Sequence, residues 1–149
     1  MWGYSSAGRA LRSHRRGRGF ESPYLHQIEN IFRYEHMDYW ENLEELVKNH
    51  EIIIERFKGK PHPKYPDFIY PVDYGYLKDT KTVDGGGIDI FVGSKKNKRV
   101  EGIICTVDSL KNDAEVKIMY ECDEEEIKEA LQVLNDKYMR AIYLKRQKQ

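Results

Sequence analysis

Apolar residues recur along the chain at two spacings, and each spacing predicts a different kind of element. A helical spacing begins after Asp38, and its apolar positions are Trp40, Leu43, Leu46 and Val47. Asp38 with Glu41 three residues later has the capping-box pattern that starts a helix. A second helix is predicted after Asp123, with an apolar face of Ile127, Ala130, Leu131 and Leu134.

Short runs rich in apolar and β-branched residues predict strands. These runs span residues 51–55, 88–92, 100–107, 115–121 and 138–144. Residues 57–72 contain four prolines, which exclude a helix and predict extended, loop-rich chain. Several short strands with one late helix predict an α+β fold that is mainly β, a small OB-like antiparallel barrel with a C-terminal amphipathic helix.

Length and composition are those of a single domain without disulfides. The chain has 149 residues, and its cysteines, Cys105 and Cys122, lack the paired spacing of zinc or redox motifs. They are typical of free thiols in a cytoplasmic protein. No apolar run approaches the roughly 18 residues of a spanning helix. The N-terminal residues also lack the pattern of a secretion signal. We therefore expect neither membrane insertion nor secretion.

The formal net charge is zero, but the charges are unevenly distributed. Residues 1–26 carry five arginines and one glutamate, against 20 basic and 24 acidic residues beyond them. Such a basic tail is typical of a nucleic-acid-binding arm. Its sequence, however, resembles a translated transfer-RNA gene, because the D-arm consensus encodes YSSAGRA (residues 4–10) and the T-arm consensus encodes GFESP (residues 19–23). We expect residues 1–36 to be a non-native or disordered extension, Met37 to be the true start, and residues 37–149 to form the domain.

Two pairs of aspartates share a five-residue spacing between predicted strands. Asp84 and Asp89 surround three glycines in VDGGGIDIFVG, and Asp108 and Asp113 stand in TVDSLKNDAEV. Asp-Gly is also a common hairpin signal, so each aspartate has a turn interpretation as well. If the strands are neighbours, the four carboxylates converge and must take up protons or cations. Oxygen ligands favour a hard ion such as Mg²⁺ or Mn²⁺.

Basic and phenolic side chains supply the residue types of a phosphate site. The basic residues that follow the first predicted strand are Arg56, Lys58, Lys60 and Lys64. Tyr70 and Tyr74 stand in YPVDYGYL. Lysine neutralises phosphate oxygens as a point charge, and a tyrosine hydroxyl donates to them. The same residues also fit solvated loop charges and packed aromatic rings.

From about residue 52 to residue 117 the chain resembles the soluble family I inorganic pyrophosphatases. The resemblance lies in YPVDYGYL, in an aspartate-glycine loop that ends in IDIFV, and in the D-x4-D pair before a strand. It implies metal binding by Asp84, Asp89, Asp108, Asp113 and Glu55, and substrate binding by Lys64, Tyr70, Tyr74 and Lys117. Asp89, Lys64 and Tyr74 would be catalytic residues. Mg²⁺ would be the cofactor, polarising phosphoryl oxygens and lowering the pKa of a bound water.

The chain also departs from the family pattern. The middle aspartate of the loop, usually assigned to accept a proton from the attacking water, is Gly86. The lysine two residues after the last aspartate is Glu115, and Lys117 on the same strand face is its substitute. Pro66 and Ser109 stand in place of acidic residues. These departures predict weakened activity.

The sequence thus predicts a cytoplasmic enzyme that hydrolyses inorganic pyrophosphate to two phosphates with Mg²⁺. The first alternative is a non-catalytic descendant that binds Mg²⁺ and a phosphorylated metabolite, and Gly86 is its best support. The second is a barrel that binds single-stranded nucleic acid, which the formal net charge of −4 beyond residue 26 opposes. We expect pyrophosphate or another small phosphorylated ligand, no nucleic acid and no membrane. A homo-oligomer is compatible with the sequence.

Overall fold

The computed structural model describes residues 23–147. Its elements, in chain order, are α1 (Pro23–His36), α2 (Tyr39–Asn49), β1 (Ile52–Arg56), β2 (Asp73–Leu77), β3 (Ile88–Val92), β4 (Val100–Asp108), β5 (Asp113–Tyr120), α3 (Glu124–Leu134) and β6 (Met139–Lys145). The chain separates into two compact units, of which one ends at His36 and the other begins at Met37.

The first unit contains α1, an element that the sequence patterns did not predict. Its first residue is Pro23, and proline is well suited to the first turn of a helix. Leu25, Ile31 and Phe32 are each more than half exposed. The segments that resemble transfer-RNA arms lie outside the described residues, apart from Pro23. That residues 1–36 are a non-native extension stays a prediction.

The two helices of the second unit begin as predicted. Asp38 Oδ1 accepts the Glu41 N–H at 2.7 Å, and Glu41 Oε2 accepts the Asp38 N–H at 3.0 Å. Asp123 and Glu126 make the same reciprocal bonds at 2.8 and 2.9 Å. Both capping boxes therefore satisfy N–H groups that a helix start leaves unpaired.

The α+β class is confirmed, whereas the sheet differs from the predicted antiparallel barrel. Its strand order is β1-β2-β3-β5-β4-β6, and β1 and β6 are open edges. Four pairings are antiparallel, but β3 and β5 run parallel. The chain passes from β3 to β4 and then returns as β5, which lies between these two strands. The other side of β4 pairs with β6. This crossover brings β3 beside β5, which local patterns do not predict.

Alternating residues divide the core between the two sides of the sheet. On one side a cluster packs with α3 and contains Tyr70, Val72, Phe91, Ile104, Met119, Cys122, Ile127, Ala130, Leu134 and Ala141. We call this side the α3 face. On the other side, Val47 of α2 packs with Leu77, Ile90, Val100 and Ile118. Cys105 and Cys122 are free thiols. Within residues 23–147, no helix combines the length and apolar character that crossing a membrane requires.

Candidate functional site

The α3 face changes from apolar to ionised along β5. Counting back from the buried core residue Met119, every second residue of β5 lies on the same face. These residues are Lys117, Glu115 and Asp113. Lys117 lies beside Asp89 of β3 in the parallel ladder. At the start of β5, Asp113 lies opposite Asp108 of β4. We call this part of the sheet the polar end of the α3 face.

The centre of the polar end is a buried lysine between two carboxylates. Lys117 is 5% exposed, and its Nζ lies 2.5 Å from Asp89 Oδ2 and 2.6 Å from Glu115 Oε2. The ammonium also lies 5.5 Å from the centroid of the Tyr74 ring, within cation–π range. Burial acts to lower the pKa of Lys117, but Asp89 and Glu115 outweigh it and the pKa is raised. Lys117 is therefore a fixed positive charge, and we call these three residues the ion triad.

Two of the predicted tyrosines lie against the ion triad. The rings of Tyr70 and Tyr74 stack at 5.3 Å, and Tyr74 packs on Phe91 at 4.9 Å. Burial, followed by the charge of Asp89 and a hydrogen bond to it, raises the pKa of Tyr74. Burial also raises the pKa of Tyr70. Both hydroxyls therefore stay protonated and serve as hydrogen-bond donors.

Three basic residues lie within electrostatic reach of His62, which stacks on Tyr70. The His62 ring stacks on Tyr70 at 6.2 Å, and the Lys64 N–H donates to His62 Nδ1 at 3.0 Å. Burial, followed by the charges of Arg56, Lys111 and Lys64, lowers the pKa of His62. We call Arg56, Lys64 and Lys111 the outer cations. Their combined charge favours an anion at this position.

Asp84 is held by its own loop. Its Oδ1 accepts hydrogen bonds from the Thr82 hydroxyl and from the Gly86 N–H, the second at 3.2 Å. These two bonds are the main reasons why the pKa of Asp84 is lowered. The charge of Lys117 adds a smaller contribution in the same direction, which relates the loop electrostatically to the ion triad. The hydrogen bonds are those of the turn interpretation.

Asp108 also satisfies a turn. Its Oδ1 accepts the N–H groups of Leu110 at 2.8 Å and of Lys111 at 3.0 Å, in the hairpin between β4 and β5. Asp113 is exposed at the start of β5. Glu55 is exposed on β1, and its charge raises the pKa of Tyr70 slightly, after the larger effect of burial.

The predicted metal ligands do not form a preformed cage. Among residues 23–147, no three histidine, cysteine, aspartate or glutamate side chains are arranged to hold an ion. Asp89 pairs with Lys117, while Asp84 and Asp108 hold their turns. Mg²⁺ is usually bound through one or two carboxylates together with substrate phosphates. The exposed carboxylates of Asp113 and Glu55 suit an ion that arrives with a phosphate ligand, and the five-ligand site stays a prediction.

The three glycines of the Asp84 loop offer unequal space for a side chain. Gly85 has a φ of +87°, which a side chain strains. A Cβ on Gly87 would lie 2.6 Å from the Tyr76 ring. Gly86 has neither restriction, because a Cβ there would meet Asp84 Oδ1 at 3.5 Å and Thr82 Oγ1 at 3.6 Å, which are ordinary contacts. The position that lacks the family aspartate can therefore accept one.

Sequence reasoning missed three residues of this site. From sequence alone, Glu115 is identified only as a departure from the family pattern, and no role is assigned to His62 or Lys111. Glu115 and Lys117 share a strand face by the period of two, and that signal could have identified the pair. Lys111 lies between Asp108 and Asp113 in the sequence. If these two aspartates belong to the site, Lys111 must lie near it as well.

Comparisons with known proteins give no family by sequence. No family model and no curated protein matches the chain. The solved structures that it resembles include an inorganic pyrophosphatase of Helicobacter pylori, at 13% identity and a TM-score of 0.44, over 63% of this chain and 81% of that one. An inorganic pyrophosphatase of Neisseria gonorrhoeae is 16% identical with a TM-score of 0.41, over 62% of this chain and 72% of that one. At such identities the likeness concerns the course of the main chain and not its chemistry.

Proposed function

We propose that the chain binds inorganic pyrophosphate, or a closely related phosphoanhydride, at the polar end of the α3 face and hydrolyses it slowly in the presence of Mg²⁺. The observation that carries this proposal is the stack of His62, Tyr70 and Tyr74, which connects the buried ion triad to a histidine on which the three outer cations act. Positive charge, phenolic donors and the exposed carboxylates of Asp113 and Glu55 are the groups that suit an anion carrying a divalent ion.

The outer cations supply the attraction for the anion. Lys117 is paired with two carboxylates at 2.5 and 2.6 Å, so the ion triad as a whole is negatively charged and does not itself attract an anion. Arg56, Lys64 and Lys111 hold the phosphate oxygens, and the protonated hydroxyl of Tyr70 donates to them. When bound with the ligand, Mg²⁺ polarises phosphoryl oxygens and favours ionisation of a water.

The weak step is removal of a proton from the attacking water. Gly86 carries no carboxylate, and Asp89 already accepts hydrogen bonds from Lys117 and Tyr74. General-base assistance contributes about 10² to 10⁴-fold in rate. We therefore expect hydrolysis below that of a site with the full aspartate set.

A second candidate is a non-catalytic module that binds the same anion. The observation that favours it is the ion triad, because Asp89 Oδ2 already contacts the Lys117 ammonium at 2.5 Å and is not available to an attacking water. The two candidates share the binding site and differ only in turnover.

Calorimetry and phosphate release with the full chain test both candidates. Pyrophosphate with Mg²⁺ should bind the parent, and Lys111→Ala should weaken binding by roughly fivefold, since one charge at about 4 Å in water is worth about 1 kcal/mol. The matched control is Lys128→Ala on α3, an exposed lysine paired with Glu125 on the same helix. Equal binding by both variants and the parent would contradict the site. Slow phosphate release supports hydrolysis, whereas binding without release supports the non-catalytic module.

A further inference from the structure

The ion triad occupies a space that a metal ion would otherwise need. The Nζ of Lys117 is within 2.6 Å of oxygens from both Asp89 and Glu115. A cation bound by these two carboxylates would therefore have to take the position of the ammonium. Two carboxylates on adjacent strands with one cation between them have the arrangement of a metal-bridged pair, with nitrogen in place of the metal.

Lys117 is held firmly in this position. It lies on β5, which pairs with β3 on one side and β4 on the other, so its backbone is fixed at the centre of the sheet. The side chain is 5% exposed, and the Tyr74 ring lies 5.5 Å from its ammonium. Moving the ammonium aside would leave both carboxylates without their shared cation, which is unfavourable in a partly buried site.

We propose that Lys117 is a built-in cation that takes the place of a resident metal ion at Asp89 and Glu115. The site then takes up a divalent ion only together with a phosphate ligand, a consequence that rests on the proposed function. The remaining carboxylates explain this dependence. Asp84 and Asp108 each use one oxygen in their turns, and among residues 23–147 no three candidate ligands are arranged to hold an ion, so phosphate oxygens would have to complete its coordination.

Binding of Mn²⁺ without pyrophosphate tests the role of Lys117 directly. Free Mn²⁺ gives an electron paramagnetic resonance signal that is lost on binding, so the full chain can be titrated. The parent should bind Mn²⁺ weakly, and Lys117→Met should bind at least about tenfold more tightly because it frees two carboxylates for the ion. The matched control is Lys95→Met, which breaks a lysine–glutamate pair at 2.7 Å with Glu101 and should gain much less. A folded Lys117→Met protein that gains no Mn²⁺ affinity would overturn the proposal.

A second variant decides the question even if Lys117→Met does not fold. If Asp89 is occupied by Lys117, Asp89→Asn should leave the weak Mn²⁺ binding of the parent unchanged. If Asp89 holds a resident ion, the parent should bind Mn²⁺ tightly and Asp89→Asn should abolish that binding, which overturns the proposal. Both titrations omit pyrophosphate. A failure to bind pyrophosphate would therefore remove the proposed function while leaving the test of Lys117 intact.

Discussion

The two ends of the α3 face each contain deeply buried side chains, but of opposite kinds. At the apolar end, Phe91, Ile104 and Met119 are at most 1% exposed, and at the polar end Lys117 is 5% exposed. Burying a large apolar side chain stabilises a fold by about 1.5–3 kcal/mol, whereas removing an ion from water costs several kcal/mol. The apolar end therefore accounts for stability. The polar end needs another reason to exist, and the phosphate binding that we propose would supply one.

The largest expected effect of a single substitution lies at the apolar end. Phe91→Ala should lower the free energy of unfolding by about 3–5 kcal/mol, because it removes a fully buried ring and leaves a cavity. Urea denaturation measures this decrease, which should vary little with pH, since the ring packs within an apolar cluster. A decrease that changed strongly between acid and neutral pH would contradict the division of the face into two kinds of end.

Lys117→Met should cost somewhat less, for the opposite reason. Removing one partner of a buried ion pair costs about 3–5 kcal/mol, and the cost here should be smaller because the side chains of Asp89 and Glu115 are 25% and 37% exposed. The deficit should shrink toward acid pH, because protons can then neutralise a carboxylate that has lost its cation. Urea denaturation at several pH values, beside Phe91→Ala, separates the two ends. A deficit that did not depend on pH would mean that Lys117 acts through packing alone.

The fold was predictable where the signals are local. The capping boxes at Asp38 and Asp123 mark two helix starts, and the predicted strand 88–92 coincides with β3. β2 was not predicted as a strand, because its DYGYL sequence directly follows the proline-rich stretch and contains a glycine, which weakens a strand signal. The parallel pairing of β3 and β5 was missed because it depends on where the intervening β4 lies, which is a property of the whole sheet.

The site shows the same limit. The period of two places Lys117 and Glu115 on one face, and their contact at 2.6 Å confirms that prediction. The partner of Lys117 on β3, Asp89, could not be predicted, because it requires the non-local β3–β5 register. The sequence motif predicts Asp89 as a metal ligand, which stays a prediction, and the register places the Lys117 ammonium beside it. Residue types can be read from sequence, but their partners follow from topology.

Introducing a carboxylate at Gly86, in the Asp84 loop, tests whether the proposed site is catalytic. Gly86→Asp should raise pyrophosphate hydrolysis by about 10²-fold, the lower end of the range for general-base assistance, since the new group stands beside Asp84. The loop has space for the side chain at this position. The control is Gly86→Asn, which has nearly the same shape and no basic carboxylate. Steady-state phosphate release should increase only for the aspartate, and an equal increase for asparagine would assign the gain to loop conformation.

The smallest expected effect is a change in the titration of His62, which the apolar end should not share. In the free protein, burial and then the charges of Arg56, Lys111 and Lys64 lower the pKa of His62. Pyrophosphate among the outer cations would offset their charge and favour the imidazolium, so the pKa of His62 should rise on binding. By linkage, affinity for pyrophosphate should then increase as the pH falls through the titration of His62.

Nuclear magnetic resonance of the histidine rings measures the shift, with the His62 signal assigned from His62→Gln. His50, whose Nδ1 lies 2.8 Å from the Leu46 carbonyl on α2, is the internal control and its resonance should not respond to pyrophosphate. If pyrophosphate binds but His62 keeps its titration, the anion lies away from the outer cations, and the polar end is not the binding site.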